Sequence, residues 1–552
     1  MGLTGISPDG LVVLAHVGFW THSTLVLVFA NLLPYTKHFH IFTVIPNVFT
    51  ASLEPAGRLR SVAKSAEALM ELVGNASELE DPNSARIGVA RVEHFSWKSV
   101  LDFYTCTECG RCSDNCPAYT TGKKLSPKHL TIDLRNFMYK NDTMLIDGVR
   151  PAPAQEHGHD DGAHGAKHEE HGSENHGDHG DHHEKPMPEN PIPNPPPAYE
   201  PVNLVDKVVH PDVLWGCTTC RGCEEFCPVM ISYVDKIVDM RRNLVLVQGE
   251  FPSELAKPFE AMETNGNPWN LSRMDRAAWA EGLDVPTMAE KPTAEVLYWV
   301  GCAASYDDRS KKVARAVARL LTAAGVDFAI LGEEETCTGD AARRAGNEFL
   351  FATLAEQNVA TLNGYKEQGG IKTIITACPH CFNTLALEYK DFGGSYKVVH
   401  HTEFLMQLVR EGKLKPKRPN KQRIVFHDSC YLGRYNDIYD APRDALRAIP
   451  GVELVEPERF TRNMGVCCGA GGAQMWMEEQ NKDRMNVRRT LQLLGPKPDT
   501  IATACPFCMT MITDGLKDQE RDESVKQLDI AELLAFSCLE EPKQLPADSA
   551  TV

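Results

Sequence analysis

Eight cysteines fall in two runs of identical spacing. Cys106, Cys109, Cys112 and Cys116 precede Pro117, and Cys217, Cys220, Cys223 and Cys227 precede Pro228, each as C-x2-C-x2-C-x3-C-P. Three thiols two residues apart on a tight loop can grip three irons of a cubane 4Fe–4S cluster. The fourth, followed by proline, can serve the neighbouring cluster. That exchange predicts one cluster on Cys106, Cys109, Cys112 and Cys227 and another on Cys217, Cys220, Cys223 and Cys116. Structural zinc uses two cysteine pairs rather than four thiols in this rhythm. Nine further cysteines form a second pattern: Cys302, Cys337, Cys378 and Cys381, then Cys430, Cys467, Cys468, Cys505 and Cys508. Of the 18 cysteines only Cys538 stands outside. Such usage points to thiolate ligation in a reducing compartment and to electron transfer, not to disulfides.

The elements that must position these thiols are legible in outline. A strand pattern over 295–300 leads into Cys302, a helix over 311–324 and a strand over 328–331 lead to Cys337, and a helix over 341–365 and a strand over 371–376 lead to Cys378-Pro-His-Cys381. The order repeats: strand 424–427 into Cys430, helix 441–448, strand 452–455, Cys467-Cys468-Gly469, helix 476–494, and strand 500–503 into Cys505-Pro-Phe-Cys508. Strands alternating with helices predict two Rossmann-like α/β halves. Open α/β sheets place ligands at strand ends, where distant cysteines can converge. Gly469-Ala-Gly471-Gly472 reads as close backbone packing rather than a phosphate loop. Ahead of the repeat, helical spacing covers 61–73, 233–248 and 273–283. Between the two cysteine runs, 157–183 carries nine of the 20 histidines and 185–201 is proline-rich. This insertion cannot bury a core and is expected to be a solvated, disordered loop; scavenging of metal by its histidines is the other reading.

Residues 11–33 lack Lys, Arg, Asp and Glu and are long enough to span a bilayer. Lys37, Arg58, Arg60 and Lys64 follow, against Asp9 alone before, so a single-pass protein with its iron–sulfur part in the cytoplasm is expected. His16, His22, His38 and His40 lie in or beside this segment. If one helix continued, His22 and His40 would share a face and could serve haem b or face a quinone or a partner subunit. The short run 41–53, broken by Pro46, cannot span. A net charge of −18 argues against a nucleic-acid partner.

The doubled pattern, C-x36-CCG-x35-C-x2-C in its second copy, resembles the cysteine-rich CCG domains of the heterodisulfide reductase catalytic subunit and related iron–sulfur oxidoreductases. The resemblance implies a non-cubane 4Fe–4S cluster, and the catalytic site, on Cys430, Cys467, Cys468, Cys505 and Cys508. The first copy departs, with Thr338 where the second cysteine of its motif should be. Its four thiols, Cys302, Cys337, Cys378 and Cys381, match a further 4Fe–4S cluster or none. Trp20-Thr-His22 and Pro34-Tyr-Thr-Lys-His38-Phe-His40 are similar to the last helix of a nitrate-reductase γ-type cytochrome b domain fused to some of these proteins, whose complete form has more membrane helices. The expected architecture is therefore multi-domain. A membrane segment (1–60) precedes an α-helical two-cluster ferredoxin domain (61–290, with the insertion at 150–201). Two CCG repeats follow (291–415 and 416–552). The resemblance implies a membrane-bound oxidoreductase in the cytoplasmic membrane, relaying electrons between electron-transfer flavoprotein, or another flavoprotein, and menaquinone, in company with a membrane cytochrome b subunit. Heterodisulfide reduction, or an iron–sulfur subunit of a glycolate-, lactate- or glycerol-3-phosphate-type dehydrogenase, are the alternatives. His380, His427 and Arg434, beside cluster cysteines, are expected to tune potentials or to pack.

Overall fold

The computed structural model describes residues 6–141, 145, 200–479 and 481–539. The histidine-rich tract 157–183 and the proline-rich run up to residue 199 lie outside the described residues. At the N terminus Ser7 caps a 25-residue helix α1 (Pro8–Leu32), exposed along its whole length. Among the described residues it is the one helix long and apolar enough to cross a membrane. It does not continue through His40. Two 3-10 turns with an extended Thr36 between them intervene before a ten-residue helix α2 (His40–Phe49). The expected shared face of His22 and His40 is therefore absent, because Pro34 ends the regular hydrogen-bonding pattern. Helices α3 (Ala66–Ser77) and α4 (Trp97–Thr105), each with a serine accepting at its N-cap, lead into the first cysteine run.

Two four-stranded parallel sheets carry the C-terminal half. Strands β1 (Val296–Trp299), β2 (Phe328–Ala329), β3 (Thr373–Thr376) and β4 (Val398–His400) take the order β2-β1-β3-β4. Strands β5 (Arg423–Phe426), β6 (Glu453–Val455), β7 (Thr500–Thr503) and β8 (Lys526–Asp529) repeat it as β6-β5-β7-β8. Strands β4 and β8, and the helices His401–Arg410 and Ile530–Cys538 that follow them, complete each sheet beyond the expected elements; their strands are short and not strictly alternating. The expected helix over 341–365 is two, Asp340–Arg344 and Glu348–Glu367. The break is at Gly346 (φ +90°), where a Cβ would meet the Arg241 backbone at 2.5 Å, so no side chain fits there. The expected helix over 476–494 begins only at Met485.

The two repeats share one core. Val313, Val317, Leu320, Leu405, Leu446, Ile530 and Leu534, from helices of both, are at most 5 % exposed and pack together. Arg309 pairs with Glu532 at 2.7 Å. His401, which follows β4, hydrogen-bonds Asp529 at the end of β8 at 3.0 Å, and both are buried.

Candidate iron–sulfur sites

Both cysteine runs fold as the same loop. Glu108 and Gly110 in the first, and Thr219 and Arg221 in the second, hold positive φ (57°, 82°, 50° and 56°), and a single helical turn follows each (Arg111–Asp114 and Gly222–Glu225). Three non-glycine residues in this region are costly unless the surroundings demand it. Turning the chain inward at these positions aims the thiols at one centre. Cys106, Cys109 and Cys112 line a cavity together with Cys227 of the other run. Cys223 interacts electrostatically with Cys116, Cys217 and Cys220. Backbone N–H groups donate to sulfur from Thr219 to Cys217 (3.3 Å) and from Ile231 to Cys227 (3.4 Å). Burial pushes the Cys106 and Cys217 thiols up to about 11. They hold protons at neutral pH until a cation displaces them.

In each repeat the first cysteine follows the first strand and the C-x2-C pair follows the third. These strands are neighbours in the sheet order, so the thiols meet at the topological switch point. In the first repeat, Cys302, Cys337, Cys378 and Cys381 line a cavity with Trp269, Trp476 and Phe507. Arg276, fully buried, reaches Cys302 Sγ at 3.4 Å and Glu335 at 2.7 Å. A hydrogen bond from Cys337 together with Arg276 brings Cys302 down to about 7 against the penalty of burial. Thr338, in the missing cysteine's position, donates its hydroxyl to Cys381 Sγ at 3.8 Å.

In the second repeat all five cysteines are buried. Cys468 and Cys508 approach to 3.4 Å, Gly469 N–H donates to Cys467 Sγ at 3.3 Å, and Cys467 packs against Cys430. His427 brings one ring nitrogen within 4.8 Å of Cys468 and Cys508 sulfur. Arg489 donates to its Nδ1 at 3.0 Å. A guanidinium has no lone pair to offer, so Nδ1 is the acceptor. Burial and Arg489 push His427 down to about 3 and keep it neutral.

The sites are joined. Cys220 of the second loop packs against Cys467 of the second repeat in one buried cluster. Gly471 and Gly472 pack on Thr218 and Cys217, where a Cβ would meet carbonyl oxygens at 2.4 and 2.3 Å. His380, between Cys378 and Cys381, stacks on Tyr431 (ring centroids 3.9 Å), which stacks on Tyr435 (4.0 Å). The Tyr435 hydroxyl donates to the Thr219 carbonyl. His380 also pairs with Asp340 at 2.8 Å; burial opposes its charge, but that carboxylate raises it overall.

Arg241 and Arg489 are fully buried without a carboxylate within 4 Å among the described residues. Arg241 donates to the carbonyls of Leu214, Cys217, Arg344 and Gly472; Arg489 donates to His427, Phe460 and Gln492. Arg434 likewise donates only to carbonyls, among them Cys220 O at 2.7 Å. An unpaired buried cation costs several kcal/mol. Arg241 and the half-buried Arg434, beside Cys217, Cys220 and Cys467, and Arg489, beside Cys468 and Cys508, would be matched by thiolate-ligated iron–sulfur clusters, whose net charge is negative. The residues present thus fit these groups. His22 is exposed on α1, and no second helix faces it among the described residues. Arg276, Arg241 and Arg489 lay beyond sequence reasoning, since they are remote from their cysteines and carry no motif. Asp340, directly after Cys337-Thr-Gly, was within its reach.

Comparison with known proteins agrees with this arrangement. A 4Fe-4S dicluster domain model matches residues 105–231, and a cysteine-rich CCG domain model matches 296–386 and again 424–513. FadF of Bacillus subtilis (strain 168), described as a "Probable iron-sulfur-binding oxidoreductase", is 41 % identical over 97 % of this chain and 72 % of its own length. The EtfAB:quinone oxidoreductase of Syntrophomonas wolfei is 40 % identical over 96 % of this chain and 69 % of its own. A component of the dihydromethanophenazine:CoB–CoM heterodisulfide reductase of Methanosarcina barkeri is 33 % identical over 59 % of this chain and 78 % of its own. With a dicluster fold built on two CCG repeats, the chain belongs to this family of iron–sulfur oxidoreductases.

Proposed function

We propose that the protein is a membrane-tethered oxidoreductase that takes electrons from a soluble flavoprotein, electron-transfer flavoprotein by preference, and delivers them to quinone, with a membrane cytochrome b subunit as the partner that would hold any haem. The observation that carries this reading is the unbroken run of buried thiols from the second CCG repeat, through Cys467 and Cys220, to the dicluster loops. The name of the Syntrophomonas relative supports the donor and acceptor. Iron–sulfur clusters in these cages supply one-electron redox steps, with the donor flavin oxidised and quinone taking up two electrons and two protons.

In this reading Cys106, Cys109, Cys112 and Cys227 hold one cubane cluster and Cys217, Cys220, Cys223 and Cys116 the other. Cys430, Cys467, Cys468, Cys505 and Cys508 hold the non-cubane cluster and form the reactive centre. Cys302, Cys337, Cys378 and Cys381 hold a further 4Fe–4S cluster, with Thr338 giving its sulfur a hydroxyl donor. Arg276, Arg434 and His427 keep the cages desolvated and compensated. Helix α1 anchors the chain in the cytoplasmic membrane with the iron–sulfur part on the basic, cytoplasmic side, and His22 and His40 lie near the quinone rather than ligating haem. The aromatic cavity at Cys302 and Cys381 favours a second reading, disulfide reduction, as in the Methanosarcina relative.

The test is quinone reduction by membranes containing the protein, driven by reduced electron-transfer flavoprotein. Iron-dependent quinol formation is expected. Reduction of a disulfide without quinol formation would favour the second reading.

A further inference from the structure

We infer that α2 is an interfacial helix, lying in the headgroup layer of a lipid bilayer and holding the Cys106/Cys109/Cys112/Cys227 cage against the membrane surface. At ten residues it is far too short to span. One side is anchored in the dicluster fold. Asn47, fully buried, donates to the carbonyl of Val229, two residues past Cys227, at 2.9 Å. Lys98 Nζ bridges Asn47 Oδ1 (2.9 Å) and Asp102 (2.6 Å), and the buried Asp102 also takes Lys236 at 2.5 Å. Val44 packs against the cluster of Cys106, Cys112, Val229, Ile231 and Tyr233.

The other side is bare and apolar. Ile41, Phe42, Ile45, Val48 and Phe49 are 47, 47, 74, 42 and 89 % exposed. Their spacing is one helical stripe, and the helix contains no Asp, Glu, Lys or Arg. Such a contiguous patch marks an interaction surface. Its continuity with α1 identifies the occupant as lipid: only residues 33–39 separate it from a span-length helix exposed on every side. Tyr35, Trp97 and Met230 are 88, 67 and 53 % exposed. Trp97 precedes Lys98 and Met230 follows Val229, the two residues that hold Asn47. Amphipathic helices with aromatic neighbours settle at the headgroup level. This makes the first loop's cage, with Cys109 exposed, the membrane end of the thiol run. Which acceptor the cage meets there rests on the function proposed above; the docking of α2 does not.

The test uses the full chain with its clusters in proteoliposomes containing a diazirine-bearing phosphatidylcholine. Lipid adducts are expected on residues 41–49 as on α1, and not on Met70 or Leu72 of the exposed face of α3. Adducts confined to α1, or crosslinks from α2 to another protein chain in native membranes, would overturn the inference. In the variant Ile45→Glu/Phe49→Glu, whose changes point away from the fold, α1 still retains the protein in the membrane. Its rate of reducing a bilayer-embedded quinone from dithionite should fall about tenfold while ferricyanide reduction is unchanged. An undiminished quinone rate with the same lipid adducts would also overturn it. A wild-type protein that reduces no bilayer quinone, yet shows adducts on α2, would sink the proposed function and leave the docking upheld.

Discussion

The contact between the second dicluster loop and the second CCG repeat is tight enough to make one methyl group decisive. An alanine Cβ at Gly471 would lie 2.4 Å from the Thr218 carbonyl oxygen, where ordinary contact begins at 3.4 Å. The obstacle is backbone on both sides, with no flexible side chain to give way. The two loops must part by about 1 Å, at a cost typical of overpacking, about 1–3 kcal/mol. Thr218 lies between Cys217 and Thr219, so the displacement loosens the Cys220–Cys467 contact and the Tyr435–Thr219 hydrogen bond together. Gly471→Ala should therefore lower stability by that amount, read from denaturant unfolding followed by cluster absorbance. It should also weaken the magnetic interaction between the clusters at these two cages, read by electron paramagnetic resonance. Gly364→Ala serves as the control. It sits in the helix Glu348–Glu367 with nothing within 4 Å of a new Cβ, so it should be neutral or stabilise by up to about 1 kcal/mol. Unaltered stability and unaltered interaction in Gly471→Ala would refute the claim that this junction is close-packed.

Cysteine substitutions test the ligand sets: Cys227→Ala should abolish the signal of the Cys106/Cys109/Cys112 cage, and Cys468→Ala the CCG signal, each sparing the other; loss of the Cys217/Cys220/Cys223 signal instead in Cys227→Ala would overturn the exchange between loops. Removal of iron by a chelator leaves Arg241 and Arg489 buried and uncompensated, so the apoprotein should become protease-sensitive across residues 200–539, whereas unchanged resistance would show that the fold does not need the clusters. His400 is fully buried, and burial, then His401, holds its pKa well below the ordinary value. The unfolded chain takes up a proton near pH 6.5 that the native state refuses, so this residue's contribution is intact above that pH. It falls by up to about 1.4 kcal/mol per unit as pH drops below it. His400→Gln should flatten the loss of stability between pH 7 and 5, and an unchanged slope would remove His400 from the account.

The cysteine types and spacings determined most of the chemistry alone. Ligand geometry is local: a thiol two residues from the next either wraps a cluster or does not. The C-x2-C-x2-C-x3-C-P loops and the strand-end cysteines were therefore legible, as was the tandem α/β order. Strand β4, with its helix, and the break at Gly346 were not, because each exists through contacts with residues far along the chain. Only the tertiary structure decided how the cages connect. The meeting of Cys220 with Cys467 and the stacking of His380 on Tyr431 join segments more than 50 residues apart, and unpaired arginines reach cysteines some 20 residues away without a motif. Burial, not sequence proximity, sets their charge balance. The same holds at the membrane end. The sequence of α2 reads as a failed span, and its role emerges only when Asn47 is seen anchoring one side of it to the carbonyl two residues past Cys227.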